Sequence, residues 1–500
     1  MTTQKRLDDC LSIRDGHLFI EERDTVELVH EFGSPLFVLS EDQIRRNVRR
    51  FQRAFQAGWP DGPVKVLPAA KANWIPAVQR ILASEGCGCD IYSAGELSVA
   101  LGAGFPHELI SVNGVPKGRD HIYRCVREGV RLTIDSVEEL EVIEAAANEL
   151  GVTAKVRLRL KPAVSGFIQH TDFVAEGLVP TDIAALVYKG GLAFDDAVAL
   201  GRRILAMKNV ELVGIHQHHG RHHRSTRYWE AQMEAFARDV GRLCQALDGY
   251  RPQEIDIGGG FAIPRDPFNA ATDYSEPLQL GALYALSKAM SLLGAEARYK
   301  VMARLIDTIE ARPNQTPAPG IEEYAEACTR TLRRELPKQG IETRGLMLQL
   351  EPGRAIHGNA GIHLTTVCNL KRLERPIRWK LIIVDTTEFW FTGGRYEHHL
   401  HDYLFANKAD APLTDRADII GRSCYGDRLL PTVPVPQVEV GDLLALLDTG
   451  AYQEVSMSNF NAIPRPATVL VTGDRAAVVR RRETEEDLFR RDVMPEHLRL

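Results

Sequence analysis

The chain has 500 residues, a formal net charge of −6, and 44% hydrophobic and 26% charged residues. This length and balance predict a globular protein of two domains. No block of like charge is long enough to form a nucleic-acid or lipid-headgroup surface, which leaves small molecules or proteins as partners. The charged N-terminus MTTQKRLDDC and the lack of about 18 consecutive apolar residues exclude a secretory signal and a membrane span. We therefore expect a cytoplasmic protein.

The cysteine pattern also bears on the compartment. Eight cysteines are scattered along the chain, and the close pair Cys87 and Cys89 has one residue between its members. Redox and zinc motifs have two residues at that place, so this usage fits a reducing compartment.

From about residue 36, short β-branched runs alternate with amphipathic helical patterns. Such alternation predicts a parallel sheet with crossover helices, and eight units would close a (β/α)8 TIM barrel. The candidate strands are PLFVL, VKVLPAA, CDIYS, LISVNG, VRLTIDS, AKVRLRLKP, VELVGIHQH, EIDIGGGF and LMLQLEPG. The helical patterns include DQIRRNVRRFQRAF, AGELSVALGAG, SVEELEVIEAAANEL and RYWEAQMEAFARDVGRLCQAL. Because a barrel needs one strand fewer, PLFVL is expected to belong elsewhere.

Residues that suggest chemistry fall at the carboxyl ends of these candidate strands. They are Lys71, Asp90, His218, Gly258 to Gly260 and Glu351. A (β/α)8 barrel carries its active site at that end of its strands, so their placement favours a barrel over an open sheet.

The predicted barrel spans residues 43–360 and contains an insertion or lid at about 265–345. Helical patterns lie in this insertion near Leu280–Leu293 and Glu322–Leu336. After about residue 360 closely spaced strands replace the alternation: IHLTTVCNL, KLIIVDTT, DLLALLDTG, ATVLVTG and AAVVRRR. They predict a second, β-rich domain of the barrel or sandwich type, formed by residues 1–42 and 361–500.

Five motifs follow one another along the chain: AAKAN, IDIGGGF, EPGR, SCYGD and DTGAY. With them the chain resembles the barrel-fold (fold type III) decarboxylases of amino acids that depend on pyridoxal 5'-phosphate (PLP). Diaminopimelate decarboxylase is the most similar, and ornithine and arginine decarboxylases are further off. The resemblance extends over about residues 25–475 apart from the insertion, and it is more specific for the family than for the substrate. It implies PLP as the cofactor and an amino acid as the substrate.

Lys71 follows the first barrel strand in a run of small residues, Ala69, Ala70 and Ala72, that leaves room for a ring. A lysine at the apolar end of a strand loses hydration, which favours the neutral amine that forms an imine. Without context such a lysine is more often a surface residue. The resemblance implies that Lys71 holds PLP, and the predicted cofactor site also includes Asp90.

The glycines of IDIGGGF let bare backbone N–H groups approach an anion closely. Three glycines alone are more often a turn. The resemblance implies that Gly258, Gly259 and Gly260 cradle the PLP phosphate. Gly353 and Arg354 of EPGR resemble the second part of that site, although Arg354 could instead hold a substrate carboxylate.

Glu351 distinguishes between two chemistries of the fold. A carboxylate beside the pyridine nitrogen keeps that nitrogen protonated, so the ring becomes a strong electron sink when CO2 leaves. An arginine at this place would favour proton exchange, the pattern of barrel-fold alanine racemases. Glu351 therefore favours decarboxylation over racemisation.

The run HQHHGRHH suggests a metal site at first, because His216 and His218 point to one face of a strand. The resemblance instead implies that His218 stacks on the cofactor ring with His216 beside it. A metal site and an incidental surface cluster are the alternatives, and we expect no metal. The second group, EHHLH at 397–401, is expected to be solvated or to face substrate.

Cys424 of SCYGD matches the cysteine that, in these decarboxylases, reaches into the neighbouring subunit's site and protonates the product carbon. Its alternative is a small buried apolar residue. Asp427 is expected to shape the same loop, and Tyr452 resembles a tyrosine that approaches the phosphate. Because the partner chain supplies those residues in the family, the resemblance implies a homodimer with shared active sites.

Three positions depart from diaminopimelate decarboxylase. The family's CESGD glutamate, which binds the distal ammonium, is Tyr425 here, and the serine of its HIGS motif is Arg221. An Arg-Pro substrate segment is replaced by FWFTGGRYEHH, which contains Tyr396. With Arg354, these residues form the predicted substrate site. A cationic Arg221 and a neutral Tyr425 suit a substrate whose far end is anionic or neutral, which argues against meso-diaminopimelate.

The long insertion could cover the barrel mouth or dock a bulky substrate. Relatives in natural-product pathways decarboxylate modified amino acids, including aminoacyl groups on carrier proteins, so this chain is a candidate for such a specialised role. Its rivals are a racemase of the same fold and a non-catalytic regulatory homologue. Glu351 and Cys424 argue against the racemase, and retention of Lys71, Glu351 and Cys424 argues against the non-catalytic homologue.

Overall fold

The computed structural model describes residues 7–170, 178–218, 220, 223–265, 271–272, 285, 317–374, 378–391 and 401–499. The chain divides into two compact units. The barrel unit contains Ile44–Gly281 and Thr316–Gly358, and the β unit includes Met1–Gln43 and Asn359–Leu500. Of the helices within the described ranges, none is long and apolar enough to cross a membrane.

Eight parallel strands follow one another around the barrel unit in chain order. They are Val64–Val66, Cys89–Ile91, Ile110–Val112, Arg131–Ile134, Ala154–Leu160, Val210–Gln217, Glu254–Asp256 and Met347–Leu350. A parallel bridge between Ala69 and Asp90 joins the first two strands and closes the ring. The predicted (β/α)8 barrel is confirmed, and all eight of its strands lie within predicted runs.

The helices of this unit each present an apolar stripe. In Glu41–Gly58, Ile44, Val48, Phe51 and Phe55 recur every three or four residues and are at most 1% exposed. This spacing places all four on one face, where burial stabilises the fold by about 1.5–3 kcal/mol for each side chain. The other long helices are Pro76–Ser84, Ala94–Ala103, Arg119–Glu128, Val137–Leu150, Phe194–Leu205, Thr226–Ala246 and Ile321–Glu335.

Helix Ile321–Glu335 lies inside the segment predicted to be an insertion. It packs against Thr226–Ala246 through the ion pairs Arg330–Glu230 and Arg334–Glu234, both 2.6 Å long. Because it precedes the last barrel strand as the other outer helices precede theirs, we propose that the insertion is confined to about residues 266–316. Nearly all of that segment, including the helical pattern predicted near Leu280–Leu293, is outside the described residues.

The β unit is a predominantly antiparallel sheet with a strand from each end of the chain. Leu36–Ser40, buried at all five positions, pairs antiparallel with Gly361–Leu373 and parallel with Ala467–Thr472. The PLFVL run therefore belongs to this sheet, as expected, and the predicted β-rich domain is confirmed. The other strands are Trp379–Val384, Tyr403–Phe405, Asp415–Ile420, Arg428–Val435, Leu443–Leu446 and Arg475–Arg480.

Successive side chains of Leu36–Ser40 belong in turn to two hydrophobic clusters of the β unit. Leu36 and Val38 join one cluster, and Phe37 joins the other. Successive side chains of a strand point to opposite faces, so this strand contributes to packing on both sides of its sheet. Before it lie the strands Leu11–Arg14, His17–Ile20 and Arg23–Asp24 and the helix Thr25–Phe32.

Candidate active site

Lys71 lies in a short 3-10 turn, Ala70–Ala72, just beyond the first barrel strand. Its neighbours Ala69 and Ala72 are buried, whereas the Lys71 side chain is exposed. This corrects the expectation that its amine loses hydration, because the turn carries the side chain past the apolar end of the strand. The amine is accessible to a ligand entering the barrel mouth.

Two buried carboxylates, Asp90 and Glu351, are bridged by the amide of Asn113 at the carboxyl ends of their strands. Asn113 Nδ2 donates to Asp90 Oδ1 at 2.7 Å and to Glu351 Oε1 at 2.7 Å. All three side chains are at most 7% exposed. One amide nitrogen therefore fixes the spacing of the two carboxyl groups.

The electrostatics of this pair favour a proton on Asp90. Burial, and then the nearby Glu351, raise the pKa of Asp90 well above its ordinary value, and Lys71 acts in the opposite direction. A like charge and a desolvated site both disfavour a second carboxylate anion. Asp90 is thus a weaker acid than an exposed aspartate, and it lies within the electrostatic influence of Lys71.

Arg157 is a fully buried cation in the barrel interior, near Glu351. Its Nη1 lies 2.6 Å from Asp256 Oδ2, and its Nη2 lies 3.8 Å from Glu351 Oε1. Its guanidinium also donates hydrogen bonds to the side chains of Ser111, Thr133 and Gln349. Burial and Glu351 raise the pKa of Asp256 to about 6, against the effect of Arg157. The network anchors the residues beneath Glu351.

His216 lies on the other side of Glu351, with its Nε2 3.2 Å from Glu351 Oε2. Burial lowers the pKa of His216 well below its ordinary value, so the ring is neutral. His216, Asp256 and Glu351 present ligand atoms within 4.8 Å of one another. We interpret them as one hydrogen-bonded network, because Arg157 already pairs with Asp256.

The turn Gly258–Gly260 lies between His218 and Glu351. Gly258 and Gly260 have φ of +71° and +107°, which favour glycine. A Cβ on Gly259 would come within 2.2 Å of the Glu351 carbonyl oxygen. The N–H of Gly259 donates to Nδ1 of the half-buried His218 at 3.2 Å. The glycines are thus required by packing, whatever anion their backbone binds.

Gly353 and Arg354 follow Glu351 directly. Gly353 precedes the short helix Arg354–His357, whose first residue has a buried side chain, 5% exposed. The chain thereby brings the glycine turn, Glu351 and Arg354 to one end of the barrel unit, as the sequence predicts.

Three other predicted site residues belong to the β unit. Cys424 and Tyr425 are exposed, and Tyr452 is half-buried with φ of +66°. The carboxylate of Asp427 accepts hydrogen bonds from the backbone N–H groups of Ser423 at 2.6 Å and Glu388 at 2.5 Å. Asp427 therefore shapes the loop that carries Cys424. The predicted substrate residues Arg221 and Tyr396 lie outside the described residues.

Sequence reasoning missed Asn113 and Arg157. Asn113 is the penultimate residue of the candidate strand LISVNG, and Arg157 is one of the polar residues that alternate with apolar ones in AKVRLRLKP. A polar residue at a strand end and a charge inside a strand were usable signals. Neither predicts a contact with Glu351 until the barrel is closed.

Comparison with known proteins agrees with this geometry. Residues 41–283 match the family model described as "Pyridoxal-dependent decarboxylase, pyridoxal binding domain". The diaminopimelate decarboxylase of Methanocaldococcus jannaschii is 30% identical over 98% of each chain. That of Methanothermobacter thermautotrophicus is 31% identical over 97% of each chain. A crystal structure of the M. jannaschii enzyme has a TM-score of 0.79 and 27% identity over 98% of this chain and 99% of that one. The chain belongs to the fold type III pyridoxal-dependent decarboxylases and is a carboxy-lyase that uses PLP.

Proposed function

We propose that this decarboxylase acts on an amino acid whose far end is neutral or anionic, with Lys71, Glu351 and Cys424 as its catalytic residues. The observation that carries the assignment in the barrel unit is the buried Glu351 carboxylate, held by Asn113 at 2.7 Å and His216 at 3.2 Å. A carboxylate so fixed is suited to a single, directional hydrogen bond with a ring nitrogen.

The residues present fit PLP. Lys71 would hold the cofactor, Gly258–Gly260 with Gly353 and Arg354 would bind its phosphate, and Glu351 would face its ring nitrogen. Glycine at all three positions keeps this turn free of side chains, which fits a backbone that cradles an anion. When bound, PLP withdraws electrons from the substrate Cα as CO2 leaves.

The chain's own groups supply the proton chemistry. Asn113 and His216 keep the Glu351 carboxylate in place, and the pKa of Asp90, raised by burial and by Glu351, is lowered in turn by Lys71. Cys424 would supply the proton of its thiol to the substrate Cα, and the Lys71 amine would hold the cofactor. His218 would limit the motion of a bound ring.

The substrate assignment rests on position 425. Tyr425 is 52% exposed and meets Phe389 edge-on at 5.7 Å, and Phe389 stacks on Phe460 at 4.2 Å. An uncharged aromatic group here offers no ion pair to a distal ammonium. The relatives described above are diaminopimelate decarboxylases, which makes meso-diaminopimelate the rival substrate.

Cofactor attachment is tested by absorbance. The purified enzyme with PLP is expected to show the visible band of lysine-bound cofactor, and Lys71→Ala is expected to lack it. Persistence of that band in Lys71→Ala would refute the role of Lys71. Slower steady-state decarboxylation in Cys424→Ala, with a changed product partition, is expected if Cys424 is the proton donor.

Substrate choice is tested by CO2 release from meso-diaminopimelate, lysine, ornithine, and acidic, neutral and N-modified amino acids of both configurations. Carrier-protein thioesters complete the panel. We expect a neutral or acidic substrate to have the highest kcat/KM. Tyr425→Glu should raise kcat/KM for meso-diaminopimelate about tenfold. The control is Tyr425→Gln, which introduces an uncharged side chain of the same shape as glutamate and should not raise kcat/KM. Preference of the parent enzyme for meso-diaminopimelate would overturn the proposal.

A further inference from the structure

Cys424 is held by a side chain from a distant part of the β unit. Asn461 Oδ1 accepts a hydrogen bond from the Cys424 backbone N–H at 2.9 Å, and Asn461 Nδ2 donates to Cys424 Sγ at 3.2 Å. One amide thus contacts both the backbone and the thiol of the same residue. Its oxygen must face the backbone N–H, so its nitrogen must face the sulfur.

The backbone at Asn461 is in an uncommon conformation. Asn461 and Ala462 have φ of +59° and +55°. Asparagine tolerates this left-handed region, whereas alanine does not readily adopt it. The two consecutive positive φ angles determine where the Asn461 side chain points. Backbone conformations of this kind cluster at functional sites.

The loop is fixed at the preceding residue as well. Asp427 accepts from the Ser423 N–H at 2.6 Å, so two consecutive backbone N–H groups have side-chain acceptors. Cys424 and Asn461 line an open cavity of about 500 Å³, together with Arg422, Ser423 and Ala462–Pro464. The thiol is therefore both oriented and accessible.

We propose that Asn461 is a positioning residue that orients Cys424 and stabilises its thiolate. The inference rests on the proposed function, in which Cys424 protonates the product carbon. In that step the S–H bond breaks, a C–H bond forms at Cα, and sulfur keeps the electron pair. The negative charge left on Sγ then faces the N–H of Asn461, which stabilises it as a charge-assisted hydrogen bond.

The test measures the rate of Cys424 alkylation by iodoacetamide against pH, in the full-length holoenzyme carrying Cys368→Ser to remove the other exposed cysteine. Only the thiolate reacts, so the pH of half-maximal rate reports its stability. Asn461→Asp keeps the acceptor for the Cys424 N–H and replaces the donor by a negative charge. We expect alkylation near neutral pH to slow about tenfold, with an unchanged plateau at high pH.

Asn461→Gly is the second variant, because glycine fits the positive φ and removes both contacts. It should move the half-maximal pH in the same direction by a smaller amount. A change in access to the thiol alters the plateau and not the half-maximal pH. An unmoved half-maximal pH in Asn461→Asp would overturn the proposal, and so would a Cys424 that reacts at no pH in the parent.

Failure of the proposed function gives a different result. If Cys424→Ala leaves decarboxylation and product partition unchanged, Cys424 is not the proton donor. The alkylation profiles of the Asn461 variants still decide whether Asn461 stabilises the thiolate.

Discussion

In the barrel unit, the side chain of Asn113 lies between two buried carboxyl groups and holds them both. Its Nδ2 donates to Asp90 and Glu351 at 2.7 Å each. Without that donor, the two carboxyl groups would repel each other or share a proton, and Glu351 would lose its orientation. The orientation of Glu351, the proposed partner of the ring nitrogen, thus depends on a neutral amide.

Replacement of Asn113 by alanine should lower kcat/KM for decarboxylation about 10- to 100-fold at saturating PLP. Hydrogen bonds to charged groups are worth about 1.5–3 kcal/mol, which corresponds to that range. Steady-state CO2 release measures the effect. Asn209→Ala is the control, since its amide bonds Asn148 in an exposed pair, and it should stay within about twofold of the parent. Equal kcat/KM in Asn113→Ala would contradict this role.

His363 gives the β unit a dependence on pH. It is fully buried, 4.3 Å from the ring of Phe37 and 4.9 Å from that of Phe391, and burial lowers its pKa from the ordinary 6.5 to about 3. Unfolding exposes a histidine that binds a proton below pH 6.5. Its contribution to stability is therefore complete above pH 6.5 and is lost as pH falls toward 3.

Because of this linkage, His363→Phe should flatten the decline in Tm between pH 6.5 and pH 4. One such histidine contributes about 1.4 kcal/mol of unfolding free energy for each pH unit in that window. Thermal unfolding followed by circular dichroism measures the slope. The exposed His497→Gln should leave the slope as it is, and an unchanged slope in His363→Phe would show that another group dominates.

Individual residues differ in how far the sequence reveals them. Lys71, Glu351 and Cys424 lie in the motifs that carry the family resemblance, and that resemblance implies their roles. Asn113 is 238 positions from Glu351 along the chain, and only barrel closure brings the two together. The exposure of Lys71 was also beyond pattern reasoning, because it depends on where the turn begins.

At the scale of elements, the glycine turn connects the predicted phosphate site with Glu351. Gly259→Ala should weaken PLP binding more than about tenfold, because its Cβ would meet the Glu351 carbonyl oxygen at 2.2 Å and one of the two must move. Titration of the apoenzyme with PLP, followed by absorbance, measures the affinity.

The matched control is Gly102→Ala, in helix Ala94–Ala103, where an added Cβ meets nothing within 4 Å. It should leave PLP binding unchanged and stabilise the fold by about 0.5–1 kcal/mol. Parent-like affinity in Gly259→Ala would mean that the turn tolerates a side chain and does not approach its ligand closely.

Strands were predictable where their pattern is strong. The barrel strands are apolar runs between helical patterns, and all were found. Tyr403–Phe405 has three residues, and Arg428–Val435 contains Pro431 and Pro434, which argue against a central strand. Strand Arg428–Val435 lies at one end of the strand order in the described sheet, a position where proline is tolerated. Neither strand was predicted from the sequence.

At the scale of the whole molecule, we expect a homodimer in which the partner completes each site. The resemblance assigns Lys71 and Cys424 of one site to different subunits. Mixing subunits of Lys71→Ala and Cys424→Ala should therefore restore about a quarter of the parent activity, since half of the dimers are hybrids and each has one intact site.

Light scattering supplies the mass, and CO2 release supplies the recovered activity. Each variant mixed with itself is the control and should stay at the low activity of that variant alone. A monomeric mass would contradict shared sites. Hybrids that remain inactive after verified subunit exchange would contradict them as well, and the catalytic residues of a site would then come from one chain.

The position of Leu36–Ser40 in the sheet has a consequence for synthesis. Both of its neighbours, Gly361–Leu373 and Ala467–Thr472, are translated after the whole barrel unit. At about 5–20 residues per second, this apolar strand leaves the ribosome tens of seconds before either partner exists. Its backbone edges stay open to wrong pairing for that time, so the β unit is the part of the nascent chain that a holding chaperone would protect.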